Sequence, residues 1–209
     1  MNPPPIVYIL DDDEPTRKAM ARLLQLEGLT VKTFGSAEEF LADWDTSIPG
    51  CLILDMRMPG ISGLDVQRAV LQRDEALPIV FLSGQAVVPE SVQAMQRGAV
   101  DFLVKPVEGE VLLDAVKRAI AGDIAARGVR AEEINVRERY ARLTEREREV
   151  FVHLISGQLN KQIAGDLNIS ERTIKLHRAR IFEKLETDSL AGLARIAVRL
   201  GIEPAAQSK

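Results

Sequence analysis

Residues 51–60 read CLILDMRMPG, in which four apolar residues (Cys51–Leu54) are closed by Asp55. Other short runs accompany it: Ile6–Leu10 before Asp11-Asp12-Asp13, Thr30–Phe34, Ile79–Leu82 before Ser83, and Val100–Val104 before Lys105. Most are nearly all apolar, the pattern of strands buried on both faces of a sheet. Helical patterns separate them at Pro15–Glu27, Ala37–Trp44, Gly63–Arg73, Val88–Arg97 and Glu108–Ile120. Strand and helix in strict alternation imply βαβ units, right-handed crossovers and one parallel sheet. The expected fold class is therefore α/β, a doubly wound five-stranded parallel sheet.

Helix punctuation agrees. Pro15 falls in a first turn, where its missing N–H costs little. Ser36 is placed to cap the helix that begins at Ala37, with Glu39 at the capping-box position. Gly28 and Gly98 follow helical runs, where a left-handed C-cap favours glycine.

Residues 121–142, AGDIAARGVRAEEINVRERYAR, show no strand and little core. Gly122 and Gly128 each weaken a helix by about 1 kcal/mol relative to alanine. The segment reads as a linker that extends the fifth helix. Ile120, Ile124, Ala131 and Ile134 form either a dimer stripe or part of a solvated helix. From Leu143 the pattern is wholly helical. Thr144 and Glu147 make a capping box before Val150, Phe151, Leu154 and Ile155, and Gly157 ends that helix. A short helix follows near Asn160–Leu167, then a turn at Asn168-Ile169-Ser170. Ser170 caps a helix over Glu171–Leu185, and a last helix spans roughly Asp188–Leu200. The expected domains are 1–121, a linker 122–142, and 143–209.

Bulk properties narrow the function classes. The 209 residues are 46% hydrophobic and 28% charged, which suits one or two globular domains. The single cysteine, Cys51, excludes a disulfide framework or a cysteine-rich metal site, and reads as a buried strand residue. No apolar run is long enough to span a membrane, and MNPPPIVYIL is no secretory signal, so the cytoplasm is expected. Residues 1–121 hold 11 Lys/Arg against 18 Asp/Glu, whereas 143–209 hold 11 against 9. An acidic front and a mildly basic back suggest two jobs.

In open α/β sheets, ligands bind beyond the carboxyl ends of the strands. That rim would gather Asp11, Asp12, Asp13, Asp55, Ser83 and Lys105. Crowded carboxylates repel unless a divalent cation sits among them, and oxygen-only ligands suit Mg²⁺. The metal and the Lys105 ammonium would neutralise an incoming phosphoryl group, Ser83 would donate to one of its oxygens, and Asp55 would be the nucleophile. Asp13 is expected to serve only as a helix cap.

The motifs LDDD, LILDMRMPG, FLSG and DFLVKP resemble the receiver domains of two-component response regulators, over about residues 5–121. The resemblance implies a flavodoxin-like (CheY-like) fold with Asp55 as phosphoacceptor. It implies a Mg²⁺ (or Mn²⁺) ion held by Asp12, Asp55 and the backbone carbonyl of Arg57, with Asp11 acting through water. Ser83 and Lys105 would face the phosphate, Phe102 would be the switch aromatic, and Lys105-Pro106 would be cis.

In the second half, two helices joined by a short turn fit a helix-turn-helix. Ile174, Ile181 and Leu185 would pack, leaving Lys175, His177, Arg178 and Arg180 around the remainder. LTEREREVFVHLISGQLNKQIAGDLNISERTIKLHRARIFEKL resembles the four-helix LuxR-type module of the NarL/FixJ family. By that resemblance, Glu171–Leu185 is the recognition helix and Lys175 and Leu176 contact bases, with Arg178 and Arg180 as further candidates. Asn160, Lys161 and Thr173 would hold phosphates. Ala179 stands where some relatives are basic, so a relative's base preference does not transfer. Leu190, Leu193, Ile196 and Ala197 would form a dimer face.

Together these imply a regulator rather than an enzyme with a separate substrate. A sensor histidine kinase would phosphorylate Asp55, and the active homodimer would bind paired half-sites on double-stranded DNA. RNA polymerase is a further partner that the resemblance allows, and no membrane partner is expected. The alternative is a DNA-binding regulator controlled by protein contacts without phosphorylation.

Overall fold

The computed structural model describes residues 3–73, 77–84 and 88–205. Residues 1–2 and 206–209, assigned above to the ends of the two domains, lie outside the described residues. The chain forms two compact units, Met1–Arg127 and Gly128–Lys209.

The first unit runs β1 (Ile6–Leu10), α1 (Glu14–Leu26), β2 (Thr30–Phe34), α2 (Ala37–Asp43), β3 (Gly50–Asp55), α3 (Gly63–Leu71), β4 (Ile79–Ser83), α4 (Val88–Gln96), β5 (Asp101–Val104) and the start of α5 (Gly109–Ala141). All five strands are parallel, in the order β2-β1-β3-β4-β5. The three central strands are buried along their whole length, whereas the edge strands β2 and β5 keep exposed positions. Strand side chains alternate between faces. Tyr8, Leu10, Leu52, Leu54 and Phe81 therefore join Phe40, Val66 and Ala94 in one core layer. Val7, Ile9, Cys51, Ile53, Val80 and Leu82 join Leu24, Leu112 and Val116 in the other. This is the doubly wound arrangement expected from the alternating runs.

The caps fall where the sequence placed them. Asp13 accepts from the Thr16 amide at 2.9 Å, and Ser36 from the Glu39 amide at 3.3 Å. Gly28 and Gly98 both have positive φ. Cys51 is fully buried, and burial pushes its thiol up to about 12, with Asp123 adding to the shift.

The segment expected to extend the fifth helix does so: α5 is one element from Gly109 to Ala141. Residues up to 127 belong to the first unit and those from 128 to the second. Ile120 sits in the core, while Ile124 and Ile134 are exposed, so Ile120 does not share a surface stripe with them. A feature that the sequence reading missed anchors this stretch. Buried Asp123 accepts from the Gly50 amide at 2.9 Å and from Arg127 Nε at 2.8 Å, and Arg127 also donates to the Thr46 carbonyl. Gly50 itself is required, because a Cβ there would lie 2.0 Å from the Ile6 carbonyl oxygen.

The second unit comprises the end of α5 with α6 (Glu145–Ile155), α7 (Asn160–Asp166), α8 (Glu171–Lys184) and α9 (Leu190–Leu200). Its core joins Leu143, Val150, Phe151, Leu154, Ile163, Ile174, Ile181, Leu185, Leu193 and Ala197. Tyr140, late in α5, packs edge-on against Phe151 at 5.4 Å. The Thr144–Glu147 capping box is complete. Glu147 is also buried against Lys184, at 2.6 Å. Burial opposes its charge, but Lys184 and the Thr144 amide outweigh this and hold the Glu147 carboxyl below its ordinary value. Its stabilising effect is therefore complete above the ordinary carboxylate range and is lost as pH falls through the lowered value. Glu147→Ala should destabilise the second unit by about 1–3 kcal/mol at neutral pH. The difference from wild type should shrink in acid, as followed by urea unfolding across pH.

Candidate functional site

Parallel strands place all their carboxyl ends on one rim. Asp11 and Asp12 follow β1, Asp55 ends β3, Ser83 ends β4, and Lys105 follows β5. The rim does bring them together. Carboxylate oxygens of Asp11, Asp12 and Asp55 lie within 4.8 Å of one another. Lys105 Nζ stands 2.7 Å from Asp11 Oδ2 and 3.2 Å from Asp55 Oδ1. Asp11, Asp55 and Ser83 are buried, whereas Asp12 is exposed. Three carboxylates against one ammonium leave excess negative charge in a partly buried site. An all-oxygen donor set at this spacing fits a hard divalent cation.

The charges perturb one another. Burial pushes the Asp55 carboxyl up; Lys105 pulls it back, but Asp11 and Asp12 add to the rise, which prevails. Burial opposes the Lys105 ammonium, yet its hydrogen bond to Asp11 and the charge of Asp55 raise its pKa. Asp11 is held on both carboxylate oxygens, Oδ1 by the Asp13 amide at 2.9 Å and Oδ2 by Lys105. Arg17 donates to its carbonyl, a support that the sequence reading missed.

The loop after Asp55 turns back through an Arg57–Ser62 bridge, and the Gly63 amide donates to the Met56 carbonyl at 3.0 Å. A Cβ on Gly63 would meet the Asp55 carbonyl oxygen at 2.7 Å, so only glycine allows this return. Lys105-Pro106 is cis, as expected. Phe102 is half-buried, its ring 6.2 Å from that of Phe81.

The second unit presents α8 after a tight turn with Asn168 at φ 52°. Ile174 and Ile181 point into the core, which leaves Arg172, Lys175, Leu176, Ala179 and Arg180 on one exposed stripe. Lys161 is exposed at the start of α7. Asn160, Thr173 and Arg178 are half-buried. The Thr173 hydroxyl is engaged with Ser170 Oγ at 2.8 Å, and the Arg178 guanidinium lies over the Phe182 ring. The proposed α9 dimer stripe needs correction. Leu193 and Ala197 are spent on the unit's own core and Ile196 packs against it, so of the four only Leu190 is exposed. On an amphipathic helix the strongest apolar stripe faces the nearest core, and here that core belongs to the same unit.

Comparison with known proteins follows the same division. Residues 7–117 match the response regulator receiver domain, and residues 141–197 match the luxR family of bacterial regulatory proteins. The chain is 43% identical to response regulator protein TodT of Pseudomonas putida over 195 residues, 93% of this chain and 86% of that one. It is 40% identical to transcriptional regulatory protein FixJ of Rhizobium meliloti over 198 residues, 95% and 97% of the two chains.

The chain belongs to the two-component response regulators with a LuxR-type DNA-binding domain.

Solved response regulators share its architecture. A low-resolution structure of response regulator StyR superposes with a TM-score of 0.88 at 38% identity, covering 94% of this chain and all of that one. Full-length FixJ from B. japonicum gives 0.57 at 36% identity, covering 94% and 97%. In this response regulator no helix among the described residues is long and apolar enough to cross a membrane.

Proposed function

We propose that a sensor histidine kinase phosphorylates Asp55, and that the phosphorylated chain dimerises, binds paired DNA half-sites and alters transcription. The observation that carries this reading is the Asp55 carboxylate, raised in pKa yet 3.2 Å from Lys105, beside Asp11 and Asp12. An Asp55 oxygen attacks phosphorus, the bond to the donor histidine nitrogen breaks, and that nitrogen keeps the electron pair. Lys105 neutralises charge on the transferring phosphoryl oxygens, and the Ser83 hydroxyl donates to one of them. Asp12, Asp55 and the Arg57 carbonyl would hold Mg²⁺ (or Mn²⁺), with Asp11 acting through water. The ion, when bound, supplies further positive charge to the phosphoryl oxygens.

Lys175 and Leu176 contact base edges from the exposed stripe of α8, with Arg180 beside them and Arg178 at its margin. Asn160, Lys161 and Thr173 bind phosphates. Phe102 reports the phosphorylated state to the α4–β5–α5 face. Val88, Met95 and Val104 leave apolar surface on that face, a suitable seam for a dimer of the first unit; in the second unit Leu190 offers a separate exposed apolar contact. Beryllofluoride with Mg²⁺ should convert the purified chain from monomer to dimer in light scattering. It should also raise its affinity for a duplex selected from random DNA by tenfold or more. Unchanged mass and unchanged affinity would favour control by protein contacts instead.

A further inference from the structure

Three consecutive residues at the end of α8 are tied down by the chain segment 132–147. Lys184 Nζ donates to Glu147 and to the Arg142 carbonyl, at 2.6 and 3.1 Å. Arg139, late in α5, donates from one nitrogen to the Leu185 carbonyl at 3.3 Å and to the Glu186 carboxylate at 3.2 Å. Its other terminal nitrogen reaches Glu132 at 3.3 Å, and Glu132 also accepts from Arg199 of α9 at 3.1 Å. The Arg139 side chain is only 11% exposed. Val136, one turn earlier on the same helix, is buried.

Two features make this more than a surface ion pair. The last carbonyls of a helix lack intrahelical partners, and a cation at that end also complements the helix dipole. Arg139 meets both needs of α8 at Leu185. Glu186, moreover, has φ 51°, a left-handed conformation uncommon for a side-chain-bearing residue. Its carboxylate is held by Arg139 at the point where the chain leaves α8 for α9.

We propose that Arg139 and Glu186 are positioning residues for DNA recognition: the end of α5 fixes the exit of α8, and so the angle at which α8 offers Lys175, Leu176 and Arg180. The inference rests on the reading of α8 as the DNA-contacting helix. A helix of this length spans about 20 Å, so a tilt of about 10° moves its far end by roughly 3 Å. That displacement breaks a base-edge hydrogen bond but leaves general attraction to phosphates in place. Because Glu186 is itself mostly exposed, the pair adds little to global stability. Its effect falls on orientation.

The test uses the full-length chain with beryllofluoride and Mg²⁺, and a duplex that wild type selects from a random-sequence pool. Fluorescence anisotropy compares that duplex with a scrambled one of equal length for wild type, R139A, R139K and E186Q. R139A should bind the selected duplex at least tenfold more weakly and the scrambled duplex within twofold of wild type, with E186Q and R139K intermediate. Thermal unfolding is followed alongside; should R139A unfold, E186Q and R139K decide the matter. Equal loss on both duplexes, or no loss on either, overturns the proposal. Failure of wild type to select any sequence overturns instead the DNA-binding reading beneath it, and the proposal with it.

Discussion

Asp55→Ala should abolish covalent labelling of this chain by acetyl phosphate, a loss of at least about a hundredfold if any residual signal is measurable. Two other carboxylates share the rim, so the choice of Asp55 needs an argument beyond position. Asp11 has each oxygen already engaged, one by the Asp13 amide and one by Lys105, so attack from either would compete with a hydrogen bond that holds the side chain in place. Asp12 is exposed, whereas Lys105 pairs with Asp11 and Asp55. Asp55 combines burial with a cation placed to receive the transferred charge. Its raised pKa adds a second signature. The nucleophile is the carboxylate, which a divalent cation bound among Asp11, Asp12 and Asp55 favours, so the raised value is a signature of the metal-free protein. A carboxyl raised in the folded state binds its proton more readily there, so the metal-free protein gains stability from this group as pH falls. Asp55→Asn should remove that gain along with the label. Intact-protein mass spectrometry after acetyl phosphate treatment checks the first result. Labelling of Asp55→Ala at the wild-type rate would move the phosphoacceptor elsewhere.

How much of this was legible beforehand depends on the range of the interaction. The strands announced themselves because each is a short apolar run, and their ends named Asp11, Asp12, Asp55, Ser83 and Lys105 through topology alone. Local caps were equally readable, since Asp13, Ser36, Thr144 and Ser170 act within three residues of themselves. What escaped were partners distant in sequence. Asp123 pairs with the Gly50 amide across 73 residues, and Glu147 with Lys184 across 37. A carboxylate on a helix gives no local sign that it will be buried. Gly50 and Gly63 escaped for a similar reason, because each is required by the backbone of another segment. The α9 stripe was misjudged because an apolar helix face looks the same in sequence whether it meets its own core or a second copy.

Lys105→Ala should be the next most severe change, and it separates two roles of the lysine. For chemistry, Lys105 lies within ion-pair distance of both Asp11 and Asp55. Removing a preorganised charge that faces a developing oxyanion costs on the order of 10²–10³ in rate. Labelling by acetyl phosphate should slow by that factor while Asp55 remains the modified residue. For stability, the loss strands Asp11, which is 1% exposed. Breaking a buried ion pair from one side costs about 3–5 kcal/mol, and the quarter-exposure of Lys105 places this case at the lower end. The receiver without added metal should therefore melt at lower temperature in Lys105→Ala than in wild type. Divalent cation should recover much of that loss, because the ion neutralises the same three carboxylates. The Mg²⁺-induced rise in melting temperature should thus be larger in the variant than in wild type. An equal rise in both would show that the lysine and the ion do not share the same carboxylates. Labelling at the wild-type rate would remove Lys105 from the transfer step.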